Sequence, residues 1–108
     1  MKLDSHSDIR ILKFQGAILR KDSEVMDQDL IQSNTFYGKK VILDFTKVHH
    51  ICSSALGVLV TLKRKLKSQD GDVCIVISDE DIRQVFEITM LDKVFQIFES
   101  VPDAQAKF

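Results

Sequence analysis

The stretch that most constrains this chain is Lys40 to Lys67, KVILDFTKVHHICSSALGVLVTLKRKLK. Val41, Ile42, Leu43 and Phe45 form an apolar run rich in β-formers, the pattern of a strand buried on both faces. Asp44 interrupts it near its end, where a polar group can reach the rim of a sheet. A short polar loop is expected next. Beyond it Ala55, Val58, Leu59, Leu62 and Leu66 recur at helical spacing and make one apolar face. Lys63, Arg64, Lys65 and Lys67 fall at the end of that helix, where positive charge suits the negative end of the dipole.

Two adjacent hydroxyls, Ser53 and Ser54, stand where the helix should begin. Ser53 is a good N-cap, because its oxygen can accept a first-turn N–H that has no partner inside the helix. A phosphate at such a position would meet free N–H donors at the positive end of the dipole. It would also turn a neutral patch into one carrying about −1.5 to −2 charges. The plainer reading is that Ser53 only caps the helix and Ser54 is a spacer in its first turn. Gly57 lacks the bulk expected inside a helix, so another backbone is expected to approach it closely.

The chain has 108 residues, a size suited to one compact domain with one core. At 44% hydrophobic and 29% charged residues it has the balance of an ordinary globular protein. A net charge of −1 gives no steering toward nucleic acid or an anionic membrane. No apolar run is long enough to span a bilayer, and MKLDSHSD lacks the apolar core of a signal peptide. The expectation is a cytoplasmic monomer with no membrane insertion. Two cysteines, Cys52 and Cys74, make no disulfide framework. Cys74 reads as a small apolar residue within a strand.

In chain order, Ile9, Ile11, Leu12 and Phe14 predict a first strand. Gly16 permits a tight turn, from which Ala17, Ile18 and Leu19 return as the second arm of a hairpin. Asp22 or Ser23 caps a helix to about Asn34, with Val25, Met26, Leu30 and Ile31 as its apolar points. Residues 35–39 read as a loop. After the central strand and helix, Ser68 to Gly71 is a polar turn and Val73 to Ile77 a strand. Asp79 or Ser78 caps a helix from about Glu80 to Thr89, with Ile82, Val85, Phe86 and Ile88 inward. Val94 to Phe98 is a last strand, and Ser100 caps a short helix that admits Pro102 in its first turn. The order is ββαβαβαβα, one α/β domain over residues 1–108 with a mixed sheet covered by helices and ends fraying at about 1–7 and 103–108.

Several chemistries can be set against this pattern. His49, His50 and Cys52 offer three metal donors, but adjacent residues of a strand point apart and no second half-site follows. Cys52 before a helix is a candidate low-pKa thiol, without a resolving cysteine nearby in sequence. Ser53, a histidine and Asp44 have the residue types of a hydrolase triad, yet Ile51 and Ala55 occupy the glycine positions of a nucleophile elbow. Asp44 also ends a central strand, as a phospho-accepting aspartate would, but lacks the acidic pair near the first strand that would hold a metal. Neither reading makes this an enzyme, and no cofactor or metal is expected. The Lys63 to Lys67 cluster is short and reads as a solvated helix end.

Two segments, VILDFTKVHHICSSALGVLV and ITMLDKVFQIFESVPDA, together with the early glycine at Gly16, resemble the STAS domain, specifically the stand-alone bacterial anti-sigma-factor antagonists. The resemblance covers nearly the whole chain. It implies a partner-switching protein that binds an anti-sigma factor which is also an ATP-binding serine kinase. It further implies phosphorylation at a serine at the helix start and reset by a phosphatase. Carried over, the phosphoacceptor falls on Ser53, less favourably on Ser54. The binding face falls on Ile51, Cys52, Ser53, Ser54, Ala55, Leu56 and Gly57, with Gly16, Ala17 and Leu19 nearby. Cys52 stands where the family often carries Asp, Ala55 where it often carries Gly, and Ala17-Ile18-Leu19 where it often has a polar residue, Leu and Asp. The alternative that the resemblance leaves open is a STAS subunit of a lipid-transport ABC complex, docking to the ATPase without phosphorylation.

Overall fold

A computed structural model describes residues 9–107. The expected fraying at 1–7 lies outside them. Strands β1 (Ile9–Ile18), β2 (Lys40–Ile51), β3 (Asp72–Val76) and β4 (Ile97–Phe98) form one sheet in the order β1-β2-β3-β4. Every neighbouring pair is parallel. Parallel neighbours need a crossover. Helices α1 (Arg20–Met26), α2 (Ser53–Lys67) and α3 (Glu80–Ile88) supply these, and α4 (Val101–Lys107) closes the described chain.

The expected α/β sheet under helices is present. Its mixed character is not, because all described pairings are parallel. The opening hairpin is also replaced, since Ile9 to Ile18 is one strand that runs through Gly16. Gly16 does take a positive φ of 77°, but it bends the strand and does not reverse it. Two register breaks explain this. Lys13 pairs with Asp44 and Gln15 with Lys47, and then Gly16 pairs with Val48 and Ala17 with His50. Each break places one extra residue in β2, the mark of a β-bulge. At the first, Asp44 is buried, and its Oδ1 accepts hydrogen bonds from the Thr46 N–H (3.0 Å) and hydroxyl (2.8 Å). The expected polar loop after Phe45 is therefore strand, and β2 continues to Ile51.

One face of the sheet carries the main core. Val41, Leu43 and Phe45 of β2 and Val73 and Ile75 of β3 pack with Met26, Leu59, Leu62, Ile82 and Phe86 from the three crossover helices. The other face is smaller, with Ile42, Cys74 and Val76 under Ala104 of α4. Alternate residues of β2 serve opposite layers, which is why its sequence is continuously apolar.

The first helix begins one turn earlier than expected. Leu19 is its N-cap, and the Asp22 carboxylate accepts the Leu19 N–H at 2.8 Å. It then widens into a π-helical segment, Asp27–Gln32. Val25 is 55% exposed and Ile88 79%, so neither joins the core as expected. Asp79 caps α3, with its carboxylate accepting from Asp81 N–H at 2.8 Å and Ile82 N–H at 3.2 Å. The last strand shrinks to Ile97–Phe98, because Leu91–Lys93 is a 3₁₀ turn. Ser100 Oγ accepts the Asp103 N–H at 3.2 Å at the start of α4. Among the described residues no helix is long and apolar enough to cross a membrane.

Candidate functional site

The sheet's geometry brings three chain segments to one end. Ile18 pairs with Ile51, and the Cys52 N–H donates to the Ile18 carbonyl at 3.0 Å, tying the ends of β1 and β2. The chain enters α2 directly from this tie, and α1 begins beside it. The helix N-terminus thus starts at the tied ends of β1 and β2, where the first-turn N–H groups have no partner inside the helix.

Cys52, and not Ser53, is the N-cap, with extended backbone at φ −82° and ψ 162° and no side-chain cap bond. Ser53 is therefore the first helical residue. It is exposed, and its hydroxyl makes no hydrogen bond among the described residues. Ser54 is not a bare spacer. Its Oγ lies 2.9 Å from Ser23 Oγ in α1 and 3.2 Å from Cys52 Sγ. The remaining residues of the expected face divide. Ile51, Ala55 and Leu56 turn into the core, while Cys52 is half-buried and Ser53, Ser54 and Gly57 are exposed. Ala17 and Leu19 are exposed at the adjoining end of β1, and Gly16 is half-buried.

Gly57 corrects an expectation. A Cβ there would meet nothing within 4 Å, so no other backbone among the described residues approaches it. Its carbonyl accepts the Thr61 hydroxyl at 3.0 Å, and its outer side is open surface one turn from the serines.

The Cys52 thiol is surrounded by donors. Burial acts to raise its pKa, but the Ser54 hydroxyl and the N–H groups of Ala55, Ser54 and Cys52 itself favour the thiolate and outweigh it. The net shift is downward from the ordinary thiol value.

The other constellations do not assemble. His49 and His50 are exposed on β2, and among the described residues no three His, Cys, Asp or Glu side chains group as a metal site. Asp44 directs its carboxylate to Thr46, and no hydrogen bond among the described residues links it or a histidine to Ser53. The basic helix end is tied into the fold. Lys63 bonds Asp72 at 2.7 Å, Lys67 reaches the same carboxylate at 3.8 Å, and the Lys65 ammonium donates to the Ile31 carbonyl.

Ser23 is not the cap that its place in the sequence predicts. It is instead a buried polar side chain facing α2. Its spacing was a signal, since Ser23, Met26 and Leu30 lie on one face, with a hydroxyl where that face calls for an apolar group.

A family model of the STAS domain matches residues 1–104. The chain belongs to the STAS domain family. A Bordetella bronchiseptica protein named "Putative anti-sigma factor antagonist BtrV" is 23% identical over 108 residues, covering 100% of this chain and 93% of that protein. The crystal structure of an anti-sigma factor antagonist from Mycobacterium paratuberculosis superimposes with a TM-score of 0.81 at 20% identity, over 94% of this chain and 86% of that one. The anti-sigma factor antagonist SpoIIAA, in its unphosphorylated form, superimposes with a TM-score of 0.69 at 16% identity, over 93% and 87%. This STAS domain thus has the fold of the anti-sigma factor antagonists.

Proposed function

We propose that this STAS domain is a partner-switching regulator that binds an anti-sigma factor of the ATP-binding serine-kinase type through the N-terminal end of α2. Phosphorylation at Ser53 turns binding off, and a phosphatase restores it. The observation that carries this reading is Ser53 itself, an exposed hydroxyl with no hydrogen-bond partner among the described residues, in the first turn of a 15-residue helix whose N-cap offers no side-chain bond. Such a hydroxyl is accessible to a kinase, and a phosphate on it would be stabilised by first-turn N–H groups. The same phosphate would put about −1.5 to −2 charges on a surface of Ala17, Leu19, Cys52 and Gly57 that carries none. The likeness to BtrV supports the class of partner, and the likeness to SpoIIAA, a protein with a distinct unphosphorylated form, supports the chemistry of control.

The test is affinity capture from the source cell with wild-type and Ser53→Asp baits, followed by phosphorylation of the purified pair with ATP and phosphosite mapping. Wild type should retain an ATP-binding serine kinase, and Ser53→Asp should bind it tenfold or more weakly, about 1.4 kcal/mol or beyond. Equal capture by both baits, or retention of a transporter ATPase instead, overturns the switch. A phosphate mapped to Ser54 overturns the choice of Ser53.

A further inference from the structure

We propose that Ser23 and Ser54 form a latch between α1 and α2, so that an acidic group on Ser54 loosens α1. This goes beyond the switch reading, which places the phosphate on Ser53: the latch answers to the neighbouring Ser54 and rests on a contact between two helices. Ser23 is 4% exposed, and its Oγ donates to the Arg20 carbonyl at 2.6 Å. A hydroxyl has one proton. In the 2.9 Å contact Ser23 must therefore accept, and Ser54 must donate. Cys52 Sγ lies 3.2 Å from the same Ser54 Oγ. The bonds form one directed chain from Ser54 in the first turn of α2, through Ser23, to the carbonyl of Arg20, the first residue of α1.

A phosphoryl group on Ser54 replaces the proton that closes this chain. Ser23 could turn its own proton toward the new oxygens only by releasing Arg20. Charge acts in the same direction. The groove beside the latch, about 430 Å³, has Glu24, Asp27, Gln28 and Gln32 on the α1 side and Ser54 and Val58 on the α2 side. Among the described residues no lysine or arginine lines it, so a negative group on Ser54 faces two carboxylates and is repelled. The loosening should appear in α1 and not in α2. Seven residues of α-helix followed by a π-helical segment are too short to hold without tertiary contacts.

The test is hydrogen-exchange mass spectrometry on the whole chain, with no partner present. Ser23→Ala and Ser54→Ala should each raise exchange of amides 20–32 about fivefold, the worth of one part-buried hydrogen bond. Their double variant should add little more, because both remove the same bond. Ser54→Asp should exceed either, Ser53→Asp should match wild type, and α3 protection should stay constant as the check on folding. Wild-type exchange of 20–32 in Ser54→Asp, or an equal rise in Ser53→Asp, overturns the latch. Because neither kinase nor partner enters, this outcome is independent of the capture experiment.

Discussion

At its C-terminal end α2 is held from several directions. Lys63 and Lys67 share the Asp72 carboxylate, and Ser68 Oγ donates to the Lys65 carbonyl at 2.7 Å. Asp70 takes a left-handed φ of 65°, and the Gly71 N–H closes on the Leu66 carbonyl at 2.7 Å. At its N-terminal end the same helix has a cysteine for a cap, an exposed Ser53 hydroxyl with no hydrogen bond among the described residues, and open space beside Gly57. The chain is able to cap a helix, as Asp79 does for α3 with two N–H bonds. The contrast teaches that ion pairs and a closing turn hold the C-terminal end of α2, while its N-terminal end begins at an exposed first turn without a side-chain cap.

The two glycines near these ends give the largest expected difference. A Cβ at Gly71 would lie 2.3 Å from the Lys39 carbonyl oxygen and 3.0 Å from the Gly38 carbonyl carbon, both backbone atoms. Gly71→Ala should cost about 3 kcal/mol through forced overpacking. Gly57→Ala meets nothing and should stabilise by about 0.5–1 kcal/mol, because a mid-helix glycine carries extra conformational entropy. Urea denaturation of both variants measures this. Equal changes at the two positions would break the comparison.

A smaller contrast separates the two helix starts. Asp79→Ala should lose about 1 kcal/mol, as a working cap does. Ser53→Ala should stay within about 0.5 kcal/mol of wild type, as surface changes do. Cys52→Asp should gain about 1 kcal/mol by giving α2 the cap it lacks. The same urea curves read all three. A Ser53→Ala loss as large as that of Asp79→Ala would return Ser53 to a structural role.

Much of this was legible because burial imposes period. Ala55, Leu59, Leu62 and Leu66 mark the inner face of α2, and Asp79 and Ser100 sit where caps belong. The tail of β2 was hidden by its second bulge. Its buried residues, Val48 and Ile51, are three apart where a regular strand would place them two apart, so they look like a loop. Gly16 misled for a related reason, since a positive φ serves a bulge as well as a turn. The stretch from Cys52 to Gly57 does open α2 as its sequence implies, but which of its side chains face outward depends on helix phase. The bond from Ser54 crosses 31 positions to Ser23, and no local pattern encodes it.

The two thiols sharpen the contrast between open end and packed core at the smallest energetic scale. Cys52 is half-buried among donors that lower its pKa. Cys74 is 1% exposed, and burial pushes its pKa up to about 12, with the Asp72 charge adding and Lys63 partly offsetting. Iodoacetamide should label Cys52 in the native protein at a lower pH than in the urea-unfolded chain, and Ser54→Ala should move that profile back upward. Cys74 should label only on unfolding. The two shifts have opposite signs in stability. Folding favours the Cys52 thiolate, so its contribution is present above the unfolded thiol pKa and is lost as pH falls through the folded one. Folding favours the neutral Cys74 thiol, so its contribution is full below its ordinary value of 9.0 and declines as pH rises toward about 12. Wild type should therefore lose stability relative to Cys74→Val as pH rises from 9.0 toward about 12, read as the gap between their urea midpoints at each pH. A gap that stays constant over that range would mean that the Cys74 thiol does not feel the core that surrounds it.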